Sequence, residues 1–62
     1  MKFNVPTIDS SESAKKLQET ILTSEPDAKV EVDSDSKTVT INSQASEETF
    51  KQLIVAAGHK VS

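Results

Sequence analysis

Apolar and polar positions alternate at the start of this chain and then shift to longer steps. Phe3 and Val5 alternate with Lys2, Asn4 and Pro6, the two-residue period of a half-buried strand. Pro6 has no N–H, so it belongs at the end or edge of that strand. After Asp9 the period changes. Ala14, Leu17 and Ile21 recur at three- and four-residue steps among Lys15, Lys16, Gln18 and Glu19, which predicts an amphipathic helix from about Ser11 to Ser24. Pro26 ends it, because the residue before a proline avoids helical geometry. Ala28, Val30 and Val32 alternate with Lys29, Glu31 and Asp33, and Val39 and Ile41 with Thr38 and Thr40. The turn-forming run Asp33 to Lys37 joins these two strands into a hairpin. Phe50, Leu53, Ile54 and Ala57 then form one face of a second helix, expected over Ser46–Ala57. Ser46 is its cap, Glu47 and Glu48 suit its positive end, and Gly58 fits the position beyond its last turn.

Val61 alone is too little for a strand, but the topology asks for one across His59 to Ser62. The order becomes β-α-β-β-α-β. Two interleaved βαβ units of this kind make an α+β, ferredoxin-like fold. Its expected form is a four-stranded antiparallel sheet, order 4-1-3-2, with both helices on one face and residues 1–62 in a single domain. Ile8 and Leu22 belong to none of the apolar faces.

Length and charge narrow the function classes. A chain of 62 residues has a marginal core, burying only about 60% of its unfolded surface. With 7 lysines, no arginine and a net charge of −3, it lacks the clustered cations that phosphate neutralisation needs, so nucleic acid is not expected as a partner. No apolar run approaches the roughly 18 residues of a membrane span, and Met1-Lys2-Phe3-Asn4 does not open a signal peptide. A soluble, cytoplasmic monomer is the expectation. There is no cysteine, hence no disulfide and no thiolate for a soft metal.

The stretch Thr7-Ile8-Asp9-Ser10-Ser11-Glu12-Ser13 concentrates polar chemistry at the start of the first helix. Its simplest role is capping: Asp9 or Ser10 accepts from the first-turn N–H groups. His59, the one histidine, is expected near this loop, as an exposed polar residue, as a metal ligand or a group beside the ligands, or as a contact with a partner protein. Asp9, a serine and His59 invite a hydrolytic triad, which would need a buried carboxylate and a substrate pocket that so small a sheet does not offer. No enzyme is expected. Asp9 and Glu12 with hydroxyls would hold Ca²⁺ or Mg²⁺ weakly, without the spacing of an EF-hand. Asp27, Glu31, Asp33 and Asp35 read as a solvated face. Lys15 and Lys16 read as a solvated helix flank or as a contact for an acidic partner.

Three segments together carry a family resemblance. Lys2 to Ile8 (KFNVPTI), Ala28 to Ile41 (AKVEVDSDSKTVTI) and Ala57 to Val61 (AGHKV) resemble the heavy-metal-associated domain family, above all the cyanobacterial copper chaperones, over the whole chain. That resemblance implies a small carrier of copper(I). Such a carrier hands its ion to the soluble domain of a copper-transporting P-type ATPase. In that family the metal loop is M-x-C-x-x-C. Ile8 falls at its methionine, Ser10 and Ser13 fall at its cysteines, and His59 falls at the histidine of the last loop. The spacing is kept and the sulfurs are gone. Cu(I) prefers soft thiolate and thioether donors, and a serine hydroxyl is a hard donor that stays protonated near neutral pH. The implied carrier therefore has its metal binding disabled or altered. The alternative is a protein-interaction or regulatory module that keeps the docking surface and binds no metal.

Overall fold

The computed structural model describes all 62 residues. The elements run β1 (Lys2–Asn4), α1 (Ser11–Ser24), β2 (Lys29–Asp33), β3 (Thr38–Asn42) and α2 (Glu47–Ala56). The strands form one antiparallel sheet in the order β1-β3-β2. In its register, Phe3 and Val32 both face Val39, and Val30 faces Ile41. The two-residue alternation thus lines one face with apolar side chains and leaves Lys2, Asn4, Glu31 and Thr40 exposed on the other.

Both helices supply the apolar face with its cover. Ala14, Leu17 and Ile21 of α1 and Phe50 and Ile54 of α2 join the strands in a core of twelve buried residues. None of these core residues is polar. Ile8, unassigned by periodicity, is among them with no exposed surface, and Leu22 packs half-buried against the same cluster. Ala57, expected on the apolar face of α2, is instead exposed and serves as the helix C-cap.

The ends of α2 follow from capping geometry. Ser46 is the N-cap, its Oγ accepting from Thr49 N at 3.2 Å, so the helix proper starts one residue later than the periodicity suggests. At the other end Gly58 N donates to Val55 O at 3.0 Å and His59 N to Ile54 O at 3.2 Å. This pair of bonds is a Schellman motif, and Gly58 takes the φ of 92° that it requires. In the β2–β3 turn, Asp33 Oδ1 accepts from Asp35 N at 2.9 Å and Ser36 N at 3.4 Å. Those backbone donors hold the Asp33 carboxyl below the ordinary aspartate value.

The expected fourth strand is not formed. Residues 59–62 lie beside β1, where a fourth strand in the order 4-1-3-2 would lie, but they carry no strand pairing. A single backbone bond reaches β1, from Ser62 N to Asn4 O at 3.0 Å. One bond does not make a ladder. The segment's other amides are committed elsewhere: His59 N closes the end of α2, and Lys60 N donates to a side chain, Thr7 Oγ1, at 3.0 Å. The fold is therefore α+β with two helices on a three-stranded antiparallel sheet, the ferredoxin-like arrangement without its paired fourth strand.

Candidate functional site

The loop between β1 and α1 is built from the inside outward. Val5 N donates to Lys37 O at 2.8 Å, which carries the chain off the end of β1 beside β3. Ile8 N donates back to Val5 O at 3.1 Å, closing a turn that drives the Ile8 side chain into the core. Asp9 is then exposed, and Ser10 takes an extended backbone with φ −162° and ψ 165°. In this geometry its Oγ accepts from Ser13 N at 3.0 Å and its carbonyl accepts from Ala14 N at 3.0 Å. Ser10 is thus the N-cap of α1, and Glu12 in the first turn complements the positive helix end.

The C-terminal segment closes over this loop. Thr7 Oγ1 lies 2.8 Å from His59 Nδ1 and accepts from Lys60 N at 3.0 Å. A hydroxyl has one proton and two lone pairs, so it serves both partners at once. Ser13 and His59 come together in the lining of one cavity of about 300 Å³, with Lys16, Leu17, Thr20 and Ala57. Ser10 is not part of that lining. His59 Nδ1 is held by Thr7 and not by Asp9, so the carboxylate–imidazole arm of a triad is not assembled.

The donor chemistry of this end of the molecule does not fit Cu(I). Its possible donors are the hydroxyls of Thr7, Ser10, Ser11 and Ser13, the carboxylates of Asp9 and Glu12 and one imidazole, all harder than thiolate. The one methionine, Met1, lies at the opposite end of β1, where its backbone pairs with Ile41. No group of three or more His, Cys, Asp or Glu side chains is placed to hold a metal ion. Asp9 and Glu12, the hard-cation candidates, are both exposed and lie on either side of the Ser10 cap.

Thr7 is the site residue that sequence reasoning did not single out. No local signal marks it, because its partners are 52 and 53 residues away along the chain.

Comparison with known proteins agrees with this architecture. The copper chaperone Atx1 from Synechocystis, in a trimeric form, superposes with a TM-score of 0.91 at 34% identity, over 100% of this chain and 98% of that one. The solution structure of a cyanobacterial copper metallochaperone, ScAtx1, matches at 35% identity and a TM-score of 0.79, over 100% and 97% of the two chains. A gold-binding protein at 23% identity shares the fold, with a TM-score of 0.90 over 100% of this chain and 98% of that one. Comparison with curated protein sequences gives no match. No helix is long and apolar enough to cross a membrane. The family model of the heavy-metal-associated domain matches residues 2–60, nearly the whole chain, and the chain therefore belongs to the heavy-metal-associated domain family.

Proposed function

We propose that this protein is a copper-chaperone-type domain that presents the family's loop face to a partner without capturing Cu(I). One observation carries the reading. Ser10, at the place of the first cysteine, spends its side-chain oxygen on the backbone of α1, where it accepts from Ser13 N at 3.0 Å. A hydroxyl in that role is a helix cap, with neither the charge nor the softness that Cu(I) selects. Ser13 and His59 remain as the other metal-loop positions, and together they offer one hydroxyl and one imidazole.

The partner that fits is the soluble domain of a copper-transporting P-type ATPase in the cytoplasm. Contact with it would be non-catalytic and, without thiolates, would involve no ligand exchange. A second reading, a regulatory module for some other protein, is favoured by the intact scaffold. Ile8 has no exposed surface, so the core anchors the loop without any metal ligand.

The test is competition for Cu(I) against a strong colorimetric chelator. The protein should leave the chelator's colour unchanged. Removal of copper from the chelator would refute the reading. Titration of the isolated ATPase domain, free of copper, then separates the two readings: binding supports the first, and its absence supports the second.

A further inference from the structure

The two edges of the sheet are guarded differently. Ile41 exchanges both of its backbone bonds with Met1, so odd-numbered residues of β3 face β1 and even-numbered ones face β2. By the same alternation the carbonyls of Val30 and Asn4 point away from the sheet. On the β2 side, Gln18 of α1 covers that edge, its Nε2 donating to Val30 O at 2.8 Å. That guard sits on a helix whose apolar face is buried. On the β1 side the guard is the segment 59–62, whose Ser62 N reaches Asn4 O at 3.0 Å and which has no ladder of its own.

One side chain ties that segment to the loop before α1. The Schellman motif at Gly58 turns the chain back toward β1, and Val61 packs half-buried against the core. Between them Thr7 Oγ1 accepts from Lys60 N and is bonded to His59 Nδ1, joining the loop before α1 to the segment after α2. The bond to Nδ1 pins the ring and leaves Nε2 as the nitrogen without a partner in the chain.

We propose that residues 59–62 form a strap latched by the Thr7 hydroxyl. Closed, the strap covers the Asn4 position on the edge of β1 and holds the His59 ring beside Ser13. Open, it frees that edge and lets the ring turn. Thr7 is a positioning residue of the loop face. The biological use of the latch rests on reading this face as the one shown to a partner, but the latch itself is tested without a partner or a metal.

The experiment is amide hydrogen exchange by NMR on the full chain, with Thr7→Val and Thr7→Ser. Valine keeps the branched shape and removes the hydroxyl, whereas serine keeps the hydroxyl. In Thr7→Val the Lys60 and Ser62 amides should exchange faster by about tenfold, the worth of one hydrogen bond. The Ile41 amide of β3 should be unchanged, and the two ring ¹⁵N shifts of His59 should move as Nδ1 loses its partner. Thr7→Ser should behave as the parent. Unchanged exchange in Thr7→Val overturns the latch. So does Thr7→Ser behaving like Thr7→Val. Equal loss of protection at Ile41 also overturns it, since Thr7 would then act on global stability alone.

Discussion

At the start of α1, Ser10 Oγ accepts from Ser13 N at 3.0 Å; at the start of α2, Ser46 Oγ accepts from Thr49 N at 3.2 Å. The two caps use the same residue and the same three-residue reach, both from the extended region, with φ −162° at Ser10 and −74° at Ser46. One lies in the metal loop of a metal-binding family and the other in an ordinary turn. Their surroundings differ. Before α2, Ala45 is half-buried against the core and Phe50, one turn on, is fully buried, the placement of a hydrophobic staple. Before α1, Asp9 is exposed and the anchor is Ile8, one residue further back. Only this loop is also tied to the far end of the chain, through Thr7. Ser10 and Ser46 are thus both accounted for as caps. What distinguishes the first helix start from the second is its neighbours.

The comparison breaks most sharply if sulfur is restored. Ser10→Cys with Ser13→Cys puts two thiolates at an i, i+3 spacing across a helix start, where backbone N–H groups favour the thiolate form. Chelator competition should change from no detectable uptake to capture of Cu(I). Each single cysteine should bind far more weakly, and His59→Ala in the double variant should weaken binding modestly. Ser46→Cys with Thr49→Cys has the same spacing but no His59 and no loop closed over Ile8, so it should bind less tightly than the first pair. Equal affinity at the two places would mean that the loop adds nothing beyond spacing.

Next in size is the anchor. Ile8→Ala removes a fully buried side chain and should cost about 2–5 kcal/mol, read from urea unfolding. Ala45→Gly deletes a single half-buried methyl and should cost about 1 kcal/mol. A near-neutral Ile8→Ala would show that the loop before α1 is not held from within the core.

The caps themselves come third. Ser10→Ala and Ser46→Ala should each destabilise the protein by about 1 kcal/mol in thermal or urea unfolding. Similar values would show that Ser10 has no role in stability beyond that of Ser46. A stabilising Ser10→Ala would instead reveal a serine kept against the interest of the fold.

The smallest effect belongs to Asp33, which caps the hairpin turn as the serines cap the helices, but with a titratable group. The backbone N–H of Asp35, and then that of Ser36, lower its folded pKa. Its contribution is therefore present above the ordinary, unfolded aspartate value and is lost as pH falls through the lower folded value. An NMR pH titration should show the Asp33 carboxyl titrating below the ordinary aspartate value. Asp33→Asn should remove that part of the acid dependence of stability and leave both helix caps unaffected.

The sequence by itself determined what depends on neighbours a few residues apart. The two-residue period of Val30, Val39 and Ile41 and the longer steps of Ala14, Leu17 and Ile21 specify which side of each element is apolar, and burial follows those sides. Ser46 fixes where α2 starts, and Pro26 and Gly58 fix where the two helices stop, because capping and φ are local properties. The absence of cysteine settled the donor chemistry without any coordinates.

Only the tertiary structure decided contacts across the chain. Ile8 fits no period and is buried because the loop turns back on Val5. Topology asks for a fourth strand, but strand pairing needs a series of backbone bonds, and the amides of His59 and Lys60 are spent on Ile54 O and Thr7 Oγ1. The junction of Thr7, His59 and Lys60 joins residues more than fifty positions apart. Periodicity reports which way a side chain faces. It carries no information on which distant residue it will meet, and that is set by how the two helices pack the ends of the chain together.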